Sequence, residues 1–131
     1  MRRLLDTSAY VGFRKGDPAT MRLVAETESI DFSIIVIGEL FFGFRLGSRA
    51  TENIDDLDRF LDHPRVAVAD VTRVTADRFG RISAALRQAG TPIPTNDVWI
   101  AAQAMELGSE LVTFDNHFER VPGLVVTVPG G

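Results

Sequence analysis

The sequence contains no cysteine, one lysine, one tryptophan and one tyrosine among its 131 residues. The absence of cysteine excludes a disulfide framework and a thiolate zinc site, and it fits a reducing, cytoplasmic setting. No apolar run approaches the roughly 20 residues of a membrane span. The longest weakly charged stretch, Phe32 to Phe44, is interrupted by Glu39. The start, Met1-Arg2-Arg3-Leu4-Leu5-Asp6, lacks a signal-like apolar segment. A net charge of −4 argues against binding nucleic acid through bulk positive charge. It leaves room for an acidic site that meets phosphates through a metal. The positive charge is almost all arginine, a side chain that grips phosphate or carboxylate with two parallel bonds.

What is present reads as one globular domain over 1–131, with 45% hydrophobic and 24% charged residues. Arg3-Leu4-Leu5 is a short apolar run that ends in Asp6-Thr7-Ser8, a strand followed by a helix cap. Asp17 caps a second helix with Pro18 at its first position. The β-branched run Asp31 to Ile37 reads as a buried strand, and Gly38 to Leu46 as the helix after it. A further amphipathic helix covers Thr51 to Leu61. Arg65 to Ala69 is a third strand, and Thr72 or Thr75 caps a helix that Gly90 closes. The loop Thr91 to Pro94 leads through Thr95-Asn96-Asp97 into a helix from Val98 to Leu107, closed by Gly108. Glu110 to Thr113 and Leu124 to Val128 are the last strands, and Pro129 to Gly131 reads as a frayed end. Helices alternating with near-continuous apolar strands predict an α/β fold, a central parallel sheet of about five strands with helices on both faces.

In such sheets ligands bind beyond the carboxyl ends of the strands. Asp6, Glu39, Asp70 and Asp115 each follow a strand, and Asp97 opens a helix. Each alone has a plain reading as a cap, a turn or a favourable charge at a helix start. Glu39 is different, because it is the only charge between Phe32 and Phe44 and must be paired or metal-bound there. Carboxylates that converge repel one another unless a cation compensates. Oxygen donors without cysteine or paired histidine select Mg²⁺ or Mn²⁺. That chemistry suits metal-assisted phosphodiester cleavage. His63 and His117, far apart and in turn-like contexts, read as structural, and Trp99 as core or a dimer contact.

At the level of motifs the chain resembles the PIN-domain family. Leu5-Asp6-Thr7-Ser8 is similar to its opening motif, and Ile37-Gly38-Glu39-Leu40 to its second acidic motif. Ile93 to Ala102, with Asn96-Asp97 at its centre, is similar to the third, and Leu111 to Phe118 followed by Val121-Pro122-Gly123-Leu124 to the fourth. The length resembles VapC-type toxins of toxin–antitoxin pairs. This resemblance implies a metal-dependent endoribonuclease whose Mg²⁺ or Mn²⁺ is held by Asp6, Glu39, Asp97 and Asp115. The family's fourth acidic position alternates between Asp and Asn. Ser8 and Thr113 would orient carboxylates or waters, or serve as a cap and a strand-end hydroxyl. Asn96 would cap its helix or touch the site. The implied partners are an RNA substrate, a small VapB-type antitoxin and a second copy in a homodimer. Arg45 and Arg49 are candidates for RNA phosphates or antitoxin carboxylates. Phe41, Phe42 and Phe44 span more than one helical face, so Phe42 is expected to be left for the antitoxin. Other readings are a housekeeping nuclease, a non-catalytic PIN binding module, and a receiver-like signalling domain that would need Asp70 as phosphoacceptor.

Overall fold

Each of the first four strands of this chain hands over to a helical segment through a side chain that caps it. In the computed structural model, which describes residues 1–131, β1 (Arg2–Leu5) passes to α1 (Thr7–Arg14) at Asp6. Asp17 caps α2 (Pro18–Glu26), and Ser33 ends β2 (Ser29–Ser33) and caps α3 (Ile34–Leu46). After α4 (Ala50–Leu61) and β3 (Val66–Ala69), Thr72 opens α5 (Arg73–Ala89). α6 (Thr95–Leu107), β4 (Glu110–Val112), a 3₁₀ turn (Asn116–Arg120) and β5 (Val126–Thr127) complete the chain. Gly90 and Gly108 close α5 and α6 at φ of 71° and 66°, a left-handed conformation that side chains resist.

The five strands form one sheet in the order β3-β2-β1-β4-β5, and every pairing is parallel. Neighbouring residues of a strand point to opposite faces. Leu4 and Leu5 of β1, and Leu111 and Val112 of β4, are all 0–1% exposed, so helices cover both faces of the sheet as expected. Tyr10, Phe13, Phe32 and Phe60 pack ring against ring between α1, β2 and α4. Gln103, buried in α6, accepts from the Ser33 hydroxyl and donates to the Ala69 carbonyl at 2.9 Å, fastening α6 to the ends of β2 and β3. No helix is long and apolar enough to cross a membrane.

The chain runs outward from β1 to β3, then returns to the other side of β1. The switch point lies between β1 and β4, where a ligand crevice is expected. A receiver-like domain orders its strands 2-1-3-4-5, so that reading is excluded, and Asp70 lies exposed beyond the edge strand. The expected strand Asp31 to Ile37 is corrected. It ends at Ser33, whose hydroxyl accepts from the Ile35 amide at 3.0 Å and starts the helix four residues early. Val36, Ile37 and Leu40 keep a helical spacing, and all three are buried. The end of the chain is not frayed: Pro129 is buried, and a Cβ on Gly130 would meet the Ala19 side chain at 3.3 Å.

Candidate active site

Asp6 lies at the carboxyl end of β1, where its amide still donates to the Val112 carbonyl at 3.1 Å. Its side chain is 5% exposed and caps α1 by accepting from the Ala9 amide at 2.9 Å. The Ser8 hydroxyl donates to it at 2.7 Å, and the Thr113 hydroxyl donates from the end of β4. Burial raises the Asp6 pKa, Asp115 adds to the rise, and the hydroxyl and amide donors oppose it. Cap and site member are thus one role.

Glu39 stands in the second turn of α3 rather than the first, because the helix begins at Ile34. It is half-buried. Its Oε1 accepts from the Thr7 hydroxyl at 2.7 Å, and its Oε2 from the Asn96 amide at 3.4 Å. Asn96 therefore touches the site. Thr7 is a positioning residue the sequence did not single out; its only signal is that it adjoins Asp6 in the first turn of α1.

Asp97 enters from the first turn of α6. Its pKa is raised to about 6, first by burial, then by Asp115 and Glu39, with a smaller push from Asp6; His117 pulls it down. Asp115 caps the 3₁₀ turn by accepting from the His117 amide at 2.9 Å. The Phe114 amide, donating to the Ser8 hydroxyl at 3.0 Å, holds the loop bearing Asp115 to α1, and the Asp115 amide donates within the loop to the Thr113 hydroxyl at 2.9 Å. Phe114 closes over Gly12, where an added Cβ would stand 3.0 Å from the ring. Ser8, inside the first turn of α1 and not its cap, and Thr113, just beyond β4, both donate to the Asp6 carboxylate.

Ligand atoms of Asp97 and Asp115 lie within 4.8 Å of one another and of His117, and Glu39 and Asp6 stand near enough for their charges to act on Asp97. No lysine or arginine pairs with any of the four acids. Neighbouring acids add to the raised pKa of Asp6 and of Asp97, and hard oxygen donors set together without lysine or arginine fit a divalent cation of the Mg²⁺ or Mn²⁺ type.

His117 lies beside the acidic residues. Its Nδ1 lies 2.9 Å from Asp115 Oδ1 and 3.8 Å from Asp97 Oδ2. Its signal was the Asp115-x-His117 spacing. His63 keeps its turn role, accepting from the Arg65 amide at 3.1 Å. Trp99 stacks on Phe79 of α5 with ring centroids 4.0 Å apart.

An open cleft of about 650 Å³ adjoins Glu39 and Asn96, walled by Ile34, Ile35, Gly38 and Phe42. Phe42 is 71% exposed, so it is not buried under α4. Ile34, Phe42 and Leu46 leave an apolar stripe along the exposed side of α3.

The PIN domain family profile matches residues 3–124. The chain is 31% identical over 107 residues to Ribonuclease VapC2 of Rickettsia felis, covering 81% of this chain and 78% of that protein. It is 30% identical over 124 residues to the tRNA(fMet)-specific endonuclease VapC of Salmonella typhimurium, covering 92% of each. Its fold is similar to VapBC2 from Rickettsia felis, solved bound to a DNA fragment from their promoter, with a TM-score of 0.85, 28% identity and 98% of each chain covered. The chain belongs to the PIN-domain family.

Proposed function

We propose that this PIN-domain chain is the ribonuclease toxin of a VapBC-type pair. In this reading it is a cytoplasmic endoribonuclease that depends on Mg²⁺ or Mn²⁺ held by Asp6, Glu39, Asp97 and Asp115. The observation that carries the reading is the convergence of four carboxylates with no lysine or arginine to balance them. The names of the relatives support RNA as the substrate. A bound divalent cation supplies water activation and neutralises charge on the scissile phosphate. The chain supplies the rest. Thr7 and Asn96 hold the two oxygens of Glu39, while Ser8 and Thr113 hold Asp6, so the donor set is fixed before substrate arrives.

The partner reading follows from the same charges. An antitoxin arginine entering the pocket would pair with Glu39 or Asp97 through charge-assisted hydrogen bonds, in place of the metal. Its flanking segment would lie on Phe42 and the apolar side of α3. A homodimer is part of this reading, as the resemblance implies.

The test is cleavage of cellular RNA by the purified chain with Mg²⁺ or Mn²⁺, with chelator, and after addition of the small protein encoded beside it. Cleavage that chelator stops and the neighbour's product silences is the expected result. Cleavage unaffected by chelator overturns the metal role, and RNA binding without cleavage in any metal favours a non-catalytic module. Phe42→Glu should weaken capture of the antitoxin while the free chain still cuts; if it unfolds the chain, the docking surface is wrong.

A further inference from the structure

We propose that His117 is itself a ligand of the metal centre, which makes the centre a mixed nitrogen and oxygen site that favours Mn²⁺ over Mg²⁺. This rests on the proposed metal site and adds to it a donor that the four acidic motifs do not contain. One ligand atom each from Asp97, Asp115 and His117 lie within 4.8 Å of one another. The His117 Nδ1 to Asp115 Oδ1 separation is 2.9 Å. Neighbouring donors around an octahedral ion with bonds of about 2.1 Å stand about 3 Å apart. The backbone at His117 is fixed locally, because Asp115 Oδ1 accepts its amide at 2.9 Å, and Nδ1 of the ring also lies 3.1 Å from Asp115 Oδ2. Nδ1 thus stands where one ion reaches it and both aspartates without rebuilding the loop. Nδ1 ligation requires the tautomer that carries its hydrogen on Nε2. Carboxylates serve Mg²⁺ and Mn²⁺ alike, whereas imidazole is a donor for transition ions. One nitrogen therefore tilts selectivity toward Mn²⁺.

The rival role for His117 is orientation of Asp115 by a hydrogen bond alone. Mn²⁺ titration of the full chain, followed by pulsed electron paramagnetic resonance of the bound ion, separates the two. Ligation predicts nitrogen coupling to bound Mn²⁺ in the wild type and its loss in both His117→Ala and His117→Gln. It also predicts Mn²⁺ affinity lowered roughly tenfold in each variant, with Mg²⁺ affinity, read by competition, lowered less. His117→Gln retains a side-chain donor for Asp115, so restored Mn²⁺ affinity in that variant overturns ligation in favour of orientation. Bound Mn²⁺ without nitrogen coupling in the wild type overturns it as well. Asp97→Asn separates this inference from the one beneath it. Mn²⁺ binding lost there but unchanged in His117→Ala refutes the histidine ligand and keeps the acidic site. Binding unchanged in Asp97→Asn, or absent from the wild type, refutes both. His117 is 41% exposed, so its variants are expected to melt like the wild type.

Discussion

Asp6 and Asp31 are the two buried carboxylates of the chain, 5% and 2% exposed. Asp31 lies in the middle of β2, and its partners, Arg2 and Ser109, stand at the starts of β1 and β4. It accepts from Arg2 through two bonds, at 2.9 and 3.1 Å, and from the Ser109 hydroxyl just before β4. Asp6 lies at the opposite ends of the same strands. It accepts from the Thr113 and Ser8 hydroxyls and the Ala9 amide, with Asp115 as a like-charged neighbour. Residue type and burial are the same and the compensation is opposite. A buried acid beside a cation ties strands together. A buried acid among other acids leaves a charge imbalance that only something from outside the chain can neutralise.

The largest expected effects separate these two ends of the sheet. Asp6→Asn, Glu39→Gln and Asp97→Asn should each lower RNA cleavage by about a thousandfold or more. Asp31→Asn should leave cleavage within a few-fold at temperatures where the chain is folded. It should cost about 1–3 kcal/mol of stability, less than a fully buried pair, because the Arg2 side chain is 45% exposed. Paired cleavage assays and denaturant melts measure both. An Asp31→Asn chain that is folded but inactive would break the division.

Metal sharpens it next. A ligand present at 100 times its Kd stabilises the folded chain by about 2.7 kcal/mol, several degrees in Tm for a domain of this size. Wild type and Asp31→Asn should gain this shift from Mg²⁺ or Mn²⁺, and Asp97→Asn should lose it. Asp115→Asn should fall between, because Asn keeps an oxygen donor at the one acidic position where the resemblance implies that Asp and Asn alternate. Thermal melts with each ion decide; equal losses in the two variants would make Asp115 as essential as Asp97.

In chelator the same imbalance becomes a pH effect. Asp97 has a pKa of about 6 in the folded chain, and about 3.9 is usual for an unfolded one. The folded state therefore holds this proton more tightly. Its contribution is fully present below about pH 4, is lost as the pH rises through 4 to 6, and is flat above. Asp97→Asn should flatten that slope and raise stability near pH 7 by about 1–2 kcal/mol. Denaturant melts across pH measure it, and an unchanged slope would place the proton elsewhere.

The sheet and its crossing points were legible because each apolar run ends in a capping residue. The β2–α3 junction was not. Ile34 to Ile37 is β-branched, and a short apolar run fits a strand and a buried helix equally well; the Ser33 cap decides it. Among the site residues, Glu39 was legible as a lone charge in an apolar stretch, and Asp6, Asp97 and Asp115 by motif. His117 had only its two-residue spacing from Asp115 as a signal. Thr7 was not legible, because its contact is to Glu39, 32 residues away in the chain. Asp31 gave no sign of its partner for the same reason, since Arg2 is 29 residues distant.

The smallest expected effects come from the hydroxyl that each buried aspartate accepts. Ser109→Ala and Thr113→Val each remove one hydrogen bond to a carboxylate, and each should cost about 1–2 kcal/mol. Melts alone cannot tell them apart. Asp31 keeps its Arg2 bonds, so Ser109→Ala should leave metal affinity and the pH profile of cleavage unchanged. Asp6 has no cation to fall back on. The Thr113 donor is the strongest of those that oppose its raised pKa. Without it the Asp6 pKa rises further, so the acid side of the cleavage profile should move to higher pH and metal should bind more weakly at pH 6 than at pH 8. Thr113→Ser keeps the hydroxyl and should restore both. If Thr113→Val changes stability alone, as Ser109→Ala is expected to, the two ends of the sheet use their hydroxyls in the same way and the contrast between them rests on Arg2 only.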